Sequence, residues 1–356
     1  MNLKQKVYQM FILGTDGDGY KAALKNNLGG IIFFTHDIQS KEQFKKLIVE
    51  IKDFALTSPF LSIDQEGGRV ERTENIHNGK KYLSAKFAFE KGEDFLKNQT
   101  SEIAQELKNY GINLNFAPCI DVNTNPNNPI IGERAFSNNP ADVINCEKIV
   151  SEIYRKNGII PCAKHFPGHG DANADSHLIL PKIDLPIEEM EKTHIKPFKA
   201  CAKTIEMVMV AHLHCTCFEK DIIPTSLSKN AIGYLHNNLG FDGVAISDDM
   251  VMKGVSDSFI KKQKSNEILR FTSHSEQSEE SQNITSQNDK YISTQICEMG
   301  IKAGLNMFIY RNSNPETIDI IEKIAQKSMS DNELRQNIEK SYEKIMKLKS
   351  LYIHSF

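Results

Sequence analysis

The chain has 356 residues, 40% of them hydrophobic and 25% charged, and this composition excludes the fibrous and wholly disordered classes. The length accommodates one large α/β barrel or two medium domains with a substantial core. Against 46 Asp and Glu stand 43 Lys and Arg, a net charge of −3 that leaves no basic surplus to recruit nucleic acid. No apolar run approaches a membrane span, and the N-terminal MNLKQKVYQMFILGTDG lacks the features of a signal peptide. A cytoplasmic protein with no membrane partner is expected.

Short runs rich in Ile, Val, Phe and Met predict strands at 9–13, 30–34, 60–63, 113–117, 159–163, 207–211, 244–247 and 306–310. Amphipathic patterns at 40–54, 97–110, 143–157 and 187–203 predict helices between them, and 314–351 continues at helical spacing without a strand signal. Eight strands alternating with helices predict an α/β fold, a single (β/α)8 TIM barrel over residues 1–356. A doubly wound sheet is the alternative. The nearest approach to its glycine fingerprint, Gly14-Thr-Asp-Gly17-Asp-Gly19, has the wrong spacing.

One segment breaks the pattern. Residues 271–290, FTSHSEQSEESQNITSQNDK, hold only Phe271 and Ile284 as large apolar side chains. A polar, disordered insertion is expected at about 264–290, between the seventh and eighth strands, because so little apolar surface cannot offset the entropy of ordering. Seven cysteines are an odd number, and most sit singly in apolar runs as small buried hydrophobes. Cys215 and Cys217 differ, since they follow two histidines in His212-Leu-His214-Cys215-Thr-Cys217.

Polar residues gather at the C-terminal ends of the predicted strands, which in a barrel form the rim that carries the active site. Asp64 follows the third strand, Asp121 the fourth, Lys164 and His165 the fifth, His212 the sixth, and Asp248 and Asp249 the seventh. One aspartate at a strand end is usually a helix cap; five coincident clusters are not explained that way. The longest cluster, KHFPGHGDANADSH, has the glycine and proline content of a loop, and residues 166–177 are expected to move as a lid. Asp175 and His177 are two apart, so in an extended stretch their side chains share a face. A carboxylate there would set the tautomer of the imidazole and keep a usable proton near neutral pH. The same spacing serves equally well for a hydrogen bond that merely staples the loop.

These residues carry a resemblance. KHFPGHGDANADSH resembles the signature loop of the family 3 glycoside hydrolases of the β-N-acetylglucosaminidase type. SIDQEGGRVER, NFAPCIDVNTNP with IGERAFS, MVAHL, PTSLSKNAIGYL and FDGVAISDDMVMKGV are similar to further family blocks, in family order. The resemblance implies retaining hydrolysis of terminal N-acetylglucosamine from peptidoglycan fragments (muropeptides) through a covalent glycosyl-enzyme. It implies Asp248 as nucleophile, His177 as acid/base assisted by Asp175, and sugar contacts from Asp64, Arg72, Arg134, Lys164 and His165. It also implies a monomer with neither metal nor organic cofactor. Retaining chemistry needs an ionised carboxylate on one face of the sugar and a proton donor on the other. Asp249 competes for the nucleophile role, and strand alternation predicts that only one of the adjacent pair aims at the pocket. Glu66, beside Gly67 and Gly68, reads as part of a tight turn and a poor donor.

Two rival functions remain open on the residues alone. A metal-dependent barrel amidohydrolase would use the His212-x-His214 pair, although that pair follows the sixth strand instead of the first. A catalytically silent muropeptide-binding protein would keep the barrel without turnover. Within the family, phosphate could replace water as acceptor.

Overall fold

The structure, a computed structural model, describes residues 1–77, 79–172, 180–252, 254–255 and 279–353, with backbone alone over 279–290. Eight parallel strands close a barrel: β1 (Phe11–Asp16), β2 (Gly30–Phe33), β3 (Phe60–Ile63), β4 (Leu114–Asn115), β5 (Ile160–Phe166), β6 (Met207–Val210), β7 (Val244–Asp249) and β8 (Met307–Asn312). Each pairs with the next, and β8 returns to β1. All eight expected strands form. They are apolar along their length because helices cover the outside while side chains fill the interior.

The helices follow the expected chemistry. Ser40 caps Lys41–Phe54 by accepting from the Gln43 N–H, and Phe44, Ile48 and Ile51 form its buried stripe. Asn139 and Pro140 start Pro140–Lys156, which buries Val143, Cys146, Val150 and Tyr154. The closing helix Asn332–Tyr352 lies against the end of the barrel opposite the rim. There Lys349 Nζ donates to Gln9 Oε1 at 2.8 Å, and Asn306 Nδ2 donates to the Ser341 hydroxyl at 3.2 Å.

After residue 255 the described chain resumes as the helix Glu279–Ala303. The second half of the expected insertion, 279–290, is therefore helical in backbone and continuous with the crossover to β8; residues 264–278 lie outside the described residues. A parallel ladder of Lys182–Ile183 with His214–Cys215 sits outside the barrel and ties the chain after β5 to the chain after β6.

Two register irregularities shape the rim. In the β5–β6 pair, Lys164 faces Met209 but Phe166 faces Val210, so one extra residue is accommodated at His165. In the β7–β8 pair, Ile246 faces Met307 but Asp249 faces Ile309, so one extra residue lies between Ile246 and Asp249. Such bulges re-aim side chains that strand alternation would send to opposite faces.

Candidate active site

The pocket opens at the C-terminal rim, and its walls include Asp64, Arg72, Arg134, Lys164, His165 and Asp248. All six residues expected at the site within the described chain thus meet in one cavity. Asp175 and His177 lie outside the described residues.

Lys164 is 1% exposed and carries the densest charge network. Its ammonium lies 2.6 Å from Asp64 Oδ1 and 2.5 Å from Glu66 Oε1. Arg134 grips Glu66 with both ends of its fork, Nε to Oε2 at 2.9 Å and Nη2 to Oε1 at 2.8 Å. Burial alone would raise the Glu66 carboxyl and lower the Lys164 ammonium. The neighbouring opposite charges outweigh burial at both, holding Glu66 well below the usual carboxylate range and Lys164 above its ordinary value. Glu66 is therefore a buried counter-ion that fixes two pocket cations. The adjacent Gly67 and Gly68, at φ 96° and 62°, make the tight turn while Glu66 itself points inward.

His165 is set from the other side. Its Nδ1 lies 2.6 Å from Asp121 Oδ2, and its Nε2 lies 3.3 Å from Arg134 Nη2. Asp121 is fully buried and also accepts the backbone N–H of His169 at 2.6 Å. Burial would raise its carboxyl, but His165, His169 and these N–H donors hold it well below the usual range. The rim position of Asp121 was legible, but its task of orienting His165 was not.

Cys119, Asp121 and His165 bring three potential ligand atoms within 4.8 Å of one another. The donor set fits a hydrogen-bonded cluster better than a metal. The Cys119 thiol is pushed well up by burial and donates to Asp121 at 3.3 Å, and both His165 nitrogens are engaged. The His212-x-His214 run forms no three-ligand cluster among the described residues, and His212 Nδ1 is 2.7 Å from the Ser226 hydroxyl.

Asp248 and Asp249 both line the pocket, contrary to the alternation expectation, because of the extra residue in β7. Their hydrogen bonds separate them. Asp249 accepts from Arg311 Nε at Oδ2, and from the backbone N–H groups of Val251 at 3.1 Å and Arg311 at 3.2 Å at Oδ1. Asp248 Oδ1 accepts the N–H of Asp249 at 2.7 Å, and no other donor among the described residues bonds its carboxylate. Burial would raise the Asp248 carboxyl, but His165, His212, that N–H and Lys164 lower it, so it is ionised at neutral pH. Arg311, which also lines the pocket, was missed in the sequence although it lies next to the last residue of β8, at a rim position.

The first part of the expected lid is pinned. Phe166, His169 and Ala172 are buried. Asn128 Nδ2 donates to the His169 carbonyl at 2.8 Å, and the Asn125 N–H to that of Gly170 at 3.2 Å. A Cβ on Gly170 would meet the Val122 carbonyl oxygen at 1.7 Å, so only glycine permits this crossing. Residues 173–179 lie outside the described residues.

Residues 2–270 match the model of the glycosyl hydrolase family 3 N terminal domain. A beta-hexosaminidase A of Pseudoalteromonas piscicida is 32% identical over 255 residues, 65% of this chain and 42% of that protein. A beta-hexosaminidase of Neisseria meningitidis serogroup C is 34% identical over 239 residues, 64% of each. The solved structure of a glycoside hydrolase family 3 beta-N-acetylglucosaminidase from Paenibacillus sp. str. FPU-7 superposes with a TM-score of 0.82 at 26% identity, covering 99% of this chain and 63% of that one. The chain thus spans less than two thirds of the length of these relatives.

Proposed function

This chain belongs to glycosyl hydrolase family 3, and we propose that it is a retaining β-N-acetylhexosaminidase that releases terminal non-reducing N-acetylglucosamine from peptidoglycan fragments. The observation that carries the reading is the unequal pair at the end of β7. Asp249 has both oxygens engaged, whereas Asp248 is ionised and presents a carboxylate to the pocket with a single hydrogen bond from the described residues.

In the first step an Asp248 oxygen attacks the anomeric carbon while His177, oriented by Asp175, gives its proton to the leaving oxygen. In the second, His177 takes a proton from water as that water displaces Asp248, and the sugar leaves with its original configuration. Asp64 accepts hydrogen bonds from sugar hydroxyls, and Arg72, Arg134 and Lys164 donate to them. The Lys164–Glu66–Arg134 network supports this role, since its groups are held in place before the substrate arrives and need no reorganisation. Among the described residues no helix is long and apolar enough to cross a membrane, and the substrate is taken to be a small carbohydrate met in solution.

A chromogenic aryl N-acetyl-β-glucosaminide tests the proposal. The intact chain turns it over and Asp248→Ala does not; a wild-type chain without turnover overturns it. Release of N-acetylglucosamine from anhydromuramyl peptides, followed by mass spectrometry, tests the natural aglycone.

A further inference from the structure

Outside the pocket, the strand His214–Cys215 ends in a turn that brings two sulfurs together. The N–H groups of Phe218 and Glu219 both donate to the Cys215 carbonyl, at 3.1 and 3.2 Å, so the chain winds through one helical turn directly after the strand. A helical turn separates Cα atoms two residues apart by about 5.4 Å, inside the roughly 4.4–6.8 Å that a disulfide accepts. The Sγ atoms of Cys215 and Cys217 lie 3.3 Å apart, a gap that side-chain rotation can close. We propose that Cys215 and Cys217 are a modification site, a dithiol that a hydroperoxide converts reversibly to an intramolecular disulfide.

The two thiols are not equivalent. Cys215 is buried, whereas Cys217 is half-buried and open to a small oxidant. The hydrogen bond between them lowers the Cys217 thiol and raises that of Cys215, so Cys217 supplies the thiolate. Cys119, Cys146, Cys162, Cys201 and Cys297 are all buried, and burial pushes each of their thiols up. Among the described residues none of these five has a second sulfur within hydrogen-bonding distance.

The chemistry balances with the hydroperoxide as the sole oxidant. The Cys217 thiolate attacks the terminal peroxide oxygen, the O–O bond breaks, and the alcohol leaves with a proton, giving a sulfenic acid. The Cys215 sulfur then attacks the Cys217 sulfur, the S–O bond breaks, and the departing hydroxide takes the Cys215 proton as water. Two thiols and one hydroperoxide become one disulfide, one alcohol and one water, and an external dithiol reverses the change.

The location gives the site a structural consequence. Thr216, between the two cysteines, donates its N–H to the Ile183 carbonyl at 3.1 Å and its hydroxyl to Asp184 at 2.7 Å. The His214 N–H donates to the Pro181 carbonyl at 2.8 Å. The dithiol therefore sits on the ladder that holds residues 181–184, the chain that follows His177 by four positions.

The test uses the whole folded protein and hydrogen peroxide, with alkylation of the remaining thiols after unfolding and peptide mass mapping. The expected product has lost two hydrogens, protects Cys215 and Cys217 together from alkylation, and regains both thiols with dithiothreitol. Cys215→Ser should stop at a Cys217 sulfenic acid that dimedone captures, and Cys217→Ser should lose the rapid reaction. Overoxidation of Cys217 without a disulfide, or oxidation of the five buried cysteines at the same rate, overturns the proposal. Because the readout is mass, the result is independent of whether the chain proves to be a hydrolase.

Discussion

His165 Nε2 lies 3.3 Å from Arg134 Nη2, and of these two groups the guanidinium cannot accept. The imidazole therefore accepts at Nε2, its proton is on Nδ1, and that proton is directed at Asp121 across 2.6 Å. The ring that faces the pocket is thus oriented by a buried carboxylate that does not line the pocket.

Replacing that carboxylate should loosen the ring. Asp121→Asn turns an amide NH2 toward the N–H donors that Asp121 now satisfies, those of His165 and His169. A displacement near 1 Å costs about 100-fold in reactivity, and a fall of that order in kcat/KM is expected with an aryl N-acetylglucosaminide. Steady-state kinetics on a variant shown to be folded by circular dichroism checks it. Unchanged kcat/KM would remove Asp121 from the positioning of His165.

Glu66 should matter to stability as much as to activity. Glu66→Gln leaves Lys164 and Arg134 without their shared counter-ion in a buried site, and breaking such a network costs about 3–5 kcal/mol. Urea unfolding should show that loss. Adding Lys164→Met should recover part of it without restoring turnover, because the buried charge has gone while the sugar contact is missing.

His169 predicts a pH dependence. Burial pushes its imidazole down from 6.5 to about 4, and neither ring nitrogen has a hydrogen-bond partner among the described residues. The unfolded chain binds a proton near pH 6.5 that the native chain refuses until about pH 4. Its contribution to stability is therefore complete above about 6.5 and is lost as the pH falls to about 4. The shift corresponds to about 3 kcal/mol across that window. His194 and His212, also lowered by burial, act in the same direction. Urea unfolding at several pH values should show the slope, and His169→Leu should flatten it by His169's share. An equal slope in that variant would contradict the assignment.

Much of this was readable from the residues. All eight strands were legible because each is an apolar run bounded by polar or glycine-containing turns, and the rim rule then located Asp64, Lys164, His165 and Asp248. The failures have physical causes. Alternation predicts one pocket residue from the adjacent pair Asp248–Asp249, but the extra residue in β7 brings both to the site. Glu66 was read from its glycine neighbours as a turn residue, and nothing local signals that its partners are 68 and 98 positions away, at Arg134 and Lys164. Arg311 was within reach of the rim rule, since it follows Tyr310 at the end of β8.

The central claim is that Asp248 bonds to the sugar and His177 moves the proton, and one experiment addresses both halves. In His177→Ala, an activated aryl leaving group departs without protonation, so the first step is largely spared while the second loses its base. Intact-mass measurement after mixing that variant with an activated aryl N-acetylglucosaminide should show one covalently bound N-acetylhexosaminyl group. Peptide mapping should place it on Asp248, and the adduct should be absent from Asp248→Ala. Asp175→Ala should accumulate it to a smaller extent, because the imidazole is misoriented and not removed. An adduct on Asp249, or a His177→Ala variant slowed equally for good and poor leaving groups with no adduct at all, would contradict the account.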